Sequence, residues 1–473
     1  MYRVLILPVL LFVFLPWSPA DRTSRAQERA GGTAEQGNTP PLRQEDQPTR
    51  KPEVMSNWVY AAKLIASDGR QNDELGYSVA ISGNTIVVGA PYATVNSRYA
   101  QGAAYVFVKS PNGWVRRAKL TASDGAGNAF FGSAVSINGD TVVVGANGVN
   151  IKTDLHAGAA YVFVKPPSGW ANMTQTAKLT AADEAAKAYL GSSIAIGGNT
   201  VAVGADGAAV GSNEFQGAVY VFAKPAKGWA TTSKFAAKLT ASDGARGDQL
   251  GYSVSMHGNT IVAGARSASV GSNVRQGAAY VFVAPENGWV SDKEAAKLTA
   301  SDGAKDDHFG YAVAIDGDIV VVGAPAANSP GTAYLFAKPA GGWSNTAAFT
   351  ARLTASDGTK GDQLGYSVSV NGDTVVGGAR SAKVDANARQ GAMYVFTKPE
   401  GGWTHQTQRF KLTASGGGPE DGLGSAVGIT GHTIVAGAVD ARVGSKKYQG
   451  AAYVFSAGAP HQAGKPAAVS KQK

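Results

Sequence analysis

The chain has 473 residues, no cysteine, and a formal charge of +9 from 43 Lys and Arg against 34 Asp and Glu. The missing thiols exclude disulfides and thiolate chemistry, so the fold must rest on a core that a chain of this length can supply. The basic residues are scattered, with no run of five, which argues against nucleic acid as partner, and 61 glycines point to many turns rather than long helices.

In chain order, residues 1–20 read as a cleaved signal peptide. Arg3 gives the positive start, Val4 to Trp17 the apolar run, and Ser18-Pro19-Ala20 the cleavage-like end. The run is shorter than a bilayer needs, no cysteine follows it to take a lipid, and no later segment is long and apolar enough to cross a membrane. The expected location is therefore outside the cytoplasm: secreted, periplasmic or at the cell surface. Residues 21–57 are rich in Arg, Gln, Glu, Thr, Pro and Gly and read as a disordered spacer, and 457–473 as a disordered tail.

Between these ends one unit recurs seven times. An Ala-Lys-Leu-like string places leucine at Leu64, Leu120, Leu179, Leu239, Leu298, Leu353 and Leu412. A Leu-Gly or Phe-Gly pair follows, with Gly76, Gly132, Gly191, Gly251, Gly310, Gly365 and Gly424, then a Val-Gly-Ala-like and a Gly-Ala-x-Tyr-Val-Phe-like segment. Each copy reads as four short strands. Ala118 to Ala122 alternates like a half-exposed strand, and Tyr77 to Ile81 alternates large with small, as suits a crowded centre. Thr85 to Val88 and Tyr105 to Val108 are unbroken apolar runs that suit burial on both faces.

Seven such units predict an all-β, seven-bladed β-propeller over 58–456, with four antiparallel strands per blade. The order of parts also predicts its closure. The chain begins with an outer strand near Trp58 to Ala66 and ends with a third strand at Ala451 to Phe455, so the first strand completes the last blade.

Phe131-Gly132 and Phe309-Gly310, with Gly89-Ala90-Pro91 and Gly323-Ala324-Pro325, carry the two halves of the FG-GAP motif. The chain resembles bacterial FG-GAP repeat proteins and, more distantly, the propeller of integrin α subunits, a resemblance that implies adhesion or ligand binding outside the cytoplasm. It departs from many relatives in calcium binding. The place of their Asp-x-Asp-x-Asp-Gly loop holds only turns such as Ser82-Gly83-Asn84 and Asp316-Gly317-Asp318, too short to wrap an ion.

Strand polarity puts short, uniform turns on one face and long, varied loops on the other, so binding is expected on the second. Its loops are basic through Arg98, Arg266, Arg275, Arg380, Lys383, Arg389, Arg442, Lys446 and Lys447, which read either as a solvated rim or as a site for an anionic partner. Acid pairs Asp68/Asp73, Asp243/Asp248, Asp302/Asp307 and Asp357/Asp362 flank glycine in the outer-to-inner connections. They read as turns in which the first Asp caps its own backbone and the glycine takes positive φ, or as a non-standard calcium site. The tryptophans Trp58, Trp114, Trp170, Trp229, Trp289, Trp343 and Trp403, at one fixed place before the outer strands, suit packing between blades or stacking on sugars.

The six histidines lie at no metal-ligand spacing, and Gly-Tyr-Ser-Val-Ala at 76–80 lacks the second glycine of a nucleophile elbow and recurs as a buried structural strand. The sequence thus favours a non-enzymatic propeller that presents one loop face to a surface protein or polysaccharide, with neither nucleic acid nor a membrane span involved. Two other readings stay open. A lectin-like propeller requires the tryptophans to be exposed between blades, and a secreted hydrolase requires acids and a His to converge at one central opening.

Overall fold

The computed structural model describes residues 57–458, apart from 184, 327 and 328. The signal peptide, most of the spacer and most of the tail lie outside the described residues. Within them the chain forms strands and no helix, so no helix is long and apolar enough to cross a membrane.

Seven antiparallel sheets of four strands form the blades, two of them extended by a fifth short strand. The inner strands, which number the blades, are Val79–Ser82, Val135–Asn138, Ser193–Gly197, Leu250–His257, Ala312–Asp316, Leu364–Asn371 and Leu423–Thr430. Each touches the next, and the last touches the first. The second strands, such as Thr85–Ala90, and the third strands, such as Ala159–Val164, are buried almost throughout, as their unbroken apolar runs demand.

Closure follows the expected scheme. Trp58–Leu64 is the outer strand of blade 7 and pairs antiparallel with Ala451–Ala457, from Trp58 opposite Ala457 to Leu64 opposite Ala452. The final strand therefore reaches Ala457, one residue into the expected tail.

The blades meet backbone to backbone at the two glycines of the motif. A Cβ on Gly89 would stand 2.1 Å from the carbonyl oxygen of Gly132 in the next blade. The same approach recurs between Gly145 and Gly191, Gly204 and Gly251, Gly264 and Gly310, Gly323 and Gly365, Gly378 and Gly424, and Gly437 and Gly76. The Phe-Gly and Gly-Ala halves of the repeat are thus two sides of one seam, which only glycine permits.

One feature was not anticipated from the sequence. In blades 2 to 6 the stretch after the tryptophan swings onto the outer edge of the preceding blade before joining its own sheet. Met173–Thr174 pairs parallel with Leu120 and Thr121, Gln406–Thr407 with Leu353 and Thr354, and Thr232 and Thr346 bridge Leu179 and Leu298. Ser291 does the equivalent with its side chain, accepting the Lys238 N–H at 2.9 Å. These segments cover edges that would otherwise invite pairing.

Candidate functional site

The face bearing the second-to-third loops opens at its centre into a cavity of about 550 Å³. Its lining comes from three positions of the repeat, the first of which contributes in every blade and the other two in some.

The first follows the seam glycine and reads Tyr77, Ser133, Ser192, Tyr252, Tyr311, Tyr366 and Ser425; all seven line the cavity. The second lies two residues before that glycine and reads Glu74, Phe130, Tyr189, Gln249, His308, Gln363 and Gly422. Every residue in this second position has positive φ, from 53° at Phe130 to 67° at Gln363 and Gly422. Only glycine adopts that conformation without strain, yet six copies keep a larger side chain there. The third position follows the Gly-Ala of the second strand and reads Pro91, Asn147, Asp206, Arg266, Pro325, Arg380 and Val439.

Blades 4 to 6 build a continuous wall. The rings of Tyr252 and Tyr311 have centroids 5.1 Å apart, and those of Tyr311 and Tyr366 4.9 Å. An arginine closes each end. Arg266 lies with its guanidinium carbon 3.8 Å from the Tyr252 ring centroid, a cation–π contact, and its Nε donates to Gln249 at 3.1 Å. Arg380 donates to the Tyr366 hydroxyl at 3.0 Å and to Asp440 at 2.9 Å. His308 sets its Nδ1 3.2 Å from the Arg266 carbonyl. Burial, then the neighbouring tyrosines, holds the Tyr311 hydroxyl protonated far above its ordinary range.

The opposite side carries carboxylates. Burial, reinforced by Asp440 and opposed by Arg380, pushes Glu74 up to about 7. Burial raises Asp206 as well, against a hydrogen bond from Ser192 and the charge of Arg266. No cationic side chain among the described residues lies within ion-pair distance of Glu74 or Asp206, unlike Asp440 beside Arg380. Beneath the cavity, a smaller space between the inner strands is lined by aliphatic side chains such as Val79, Ile194 and Val254 together with Ser78, Ser193, Ser253 and Ser367.

The basic residues of the loop face do not form one set. Arg266 and Arg380 stand in the wall of the mouth, while the others lie on the rim. There Arg275 pairs with Asp306 at 2.6 Å, Arg389 with Glu420 at 3.3 Å, and Lys446 donates to the Gly69 carbonyl at 2.6 Å. Arg98 bonds the Gly125 carbonyl. Lys383, Arg442 and Lys447 are exposed. The rim loops are also less varied than their sequences suggest. Six carry the same two-way backbone bridge, as between Val270 and Asn273, and only blade 5 has a shorter loop, spanning 325–331 where blade 4 spans 266–277.

The acid pairs divide their labour, and the capping role falls to the second Asp instead of the first. Asp73, Asp248, Asp307 and Asp362 each accept the N–H three residues earlier, at 2.7–2.8 Å. The first members reach a strand of the next blade. Asp243 accepts from Lys297 at 2.5 Å and from the Tyr280 hydroxyl at 2.8 Å, and Asp357 from Lys411 at 2.5 Å and Tyr394 at 3.0 Å. Asp68 takes Lys119 at 2.7 Å, and Asp302 faces Arg352 at 3.4 Å. Among the described residues no three His, Asp or Glu side chains gather closely enough to hold a metal ion. The glycine of each Ser-Asp-Gly does not have positive φ either; at Gly303 a Cβ would lie 2.2 Å from the buried Gln276 amide.

Trp58, Trp170, Trp229 and Trp403 are buried, and Trp114, Trp289 and Trp343 are partly buried against the same inter-blade clusters. None stands free as a platform between blades. At the mouth, aromatic surface reaches solvent at Tyr77 of blade 1, which is 44 % exposed, and at the half-buried tyrosine wall of blades 4 to 6. The sequence reads Gly-Tyr-Ser-Val-Ala as a buried structural strand and gives no sign that its tyrosine lines the mouth.

The seven blades and their glycine seams agree with the sequence comparison. The chain matches the FG-GAP repeat at residues 58–107, 114–163, 173–222, 234–282, 293–336, 348–396 and 406–455, and it belongs to the FG-GAP repeat family. Each match begins at or near the outer strand of one blade and ends in the third strand of the next. No curated protein is similar enough to match the chain.

Proposed function

We propose that this protein is a non-enzymatic binding propeller that acts outside the cytoplasm and seats its ligand over the central mouth of the loop face. The observation that carries the reading is where the seven copies differ. At the seams they keep the same glycines, whereas at the three mouth positions they carry Tyr or Ser, then Glu, Phe, Tyr, Gln, His or Gly, then Pro, Asn, Asp, Arg or Val. A fold that repeats has no need of such variety at positions that line one cavity. The signal-like start and the family's association with adhesion support an extracytoplasmic setting and a surface protein or polysaccharide as partner. Binding is favoured over hydrolysis because His308, the one histidine of the mouth ring, is turned to a backbone carbonyl rather than to a carboxylate.

The test compares two variants for binding to immobilised cell-surface proteins and polysaccharides. Arg266→Ser with Tyr311→Ser alters the mouth, and Arg275→Ser with Arg389→Ser alters the rim. The mouth variant is expected to lose binding while keeping the wild-type melting temperature to within a few degrees, and the rim variant to keep both. Undiminished binding by the mouth variant would refute the assignment.

A further inference from the structure

Resting on the reading of the mouth as the binding site, we propose that its ligand is a neutral saccharide, taken end-on, with a sugar ring stacked on the tyrosine wall of blades 4 to 6 and its hydroxyls bonded by the charged and amide side chains around it. Three features converge on this chemistry.

The first is the wall. Tyr252, Tyr311 and Tyr366 present rings that pack on one another in series and are held at the ends by Arg266 and Arg380. A pyranose has an apolar C–H face that suits the negative face of an aromatic ring, and stacking loses little entropy on rings already held in place.

The second is the charge balance. Arg266 and Arg380 stand against Glu74, Asp206 and Asp440, and one of these pairs, Arg380 with Asp440, is already closed. With the carboxyl of Glu74 only partly ionised near neutrality, the mouth carries little net field to select an ion of either sign. What it offers is planar donors and acceptors at many angles, which is the inventory that a ring of hydroxyls requires.

The third is shape. A cavity of about 550 Å³ falls in the range of small-ligand sites. Below it lies a smaller space of about 210 Å³ between the inner strands, lined by serines and valines, so the cavity is widest at the mouth, as entry by a chain end requires.

Purified full-length protein is tested on an array of neutral oligosaccharides (glucans, mannans and chitin fragments), with oligogalacturonates and with Lys-rich and Asp-rich peptides as competing classes. The same probes are then titrated calorimetrically. The expected result is binding of at least one neutral oligosaccharide that weakens about tenfold or more in Tyr311→Ser, a loss of about 1.4 kcal/mol of stacking and hydrogen bonding. Serine stands at this ring position in three other blades, so the fold accepts it. Tyr311→Phe, which keeps the ring, should bind more tightly than Tyr311→Ser. If only a peptide or an oligogalacturonate binds, and Tyr311→Ser abolishes it, the saccharide is wrong and the mouth still stands. If a probe binds equally to wild type and to Tyr311→Ser and Arg266→Ser, both fall. If no neutral oligosaccharide on the array binds, the saccharide proposal is overturned.

Discussion

The seams between blades and the mouth at their centre are built from the same repeat, sometimes from adjacent residues, and they obey opposite rules. Gly76 and Tyr77 are neighbours in the chain. The glycine has a counterpart in every blade, because a side chain there would strike the next strand, while the tyrosine alternates with serine. A position fixed by backbone contact is held identical by sterics, and a position that faces a cavity is free to vary. In a repeat protein this separates folding from recognition within one sequence.

The comparison can be broken or sharpened in four ways. The largest effect is expected from removing residues 58–67, which takes away the outer strand of blade 7, the strand by which the start of the propeller pairs with its end. The truncated chain should unfold at a much lower temperature or fail to fold; melting like the full chain would refute non-covalent closure. Next comes Gly204→Ala, whose Cβ would stand 2.0 Å from the Gly251 carbonyl oxygen. Overpacking backbone against backbone should cost about 3 kcal/mol, read by denaturant unfolding.

A smaller effect follows from Glu74. Its carboxyl is raised from 4.5 to about 7 in the fold, so its contribution is fully present below pH 4.5 and is lost as pH rises through 7. Glu74→Gln should therefore match wild type at pH 4 and exceed it by about 1 kcal/mol at pH 8. Equal stabilities at pH 8 would show that Glu74 titrates normally. The smallest effect belongs to Gln363→Gly, which relieves a backbone at φ 67° and loses one hydrogen bond from Ser381 at 2.8 Å. These terms are each about 1 kcal/mol and oppose each other, so the melting temperature should hardly move. A loss as large as that of Gly204→Ala would erase the distinction between seam and mouth.

The propeller was legible because its signals are local and repeated. Valine runs, hairpin turns and paired glycines recur in register, and the displaced first strand announces how the ring closes. The mouth was harder to read because no local pattern marks it. Arg266 and Arg380 were noticed as loop cations, but their place beside Tyr252 and Tyr366 depends on how neighbouring blades converge. Aligning the seven copies and asking which columns vary would have found Tyr311 and Glu74. The acid pairs show the opposite failure: spacing suggested a shared site, but the two carboxylates of each pair point to different partners. Asp243 serves Lys297, and Asp248 caps the turn it sits in.

Closure by the first strand also fixes how the molecule can be held. Trp58 lies opposite Ala457, at the end of the sheet where other blades make their third-to-outer turn, and the Gly458 N–H donates to the Asn57 carbonyl at 2.9 Å. Both ends of the described chain thus emerge side by side on the short-turn face, away from the mouth. A tether at either end would aim the open mouth outward, as a dish is aimed by its mount, and leave the tyrosine wall unobstructed.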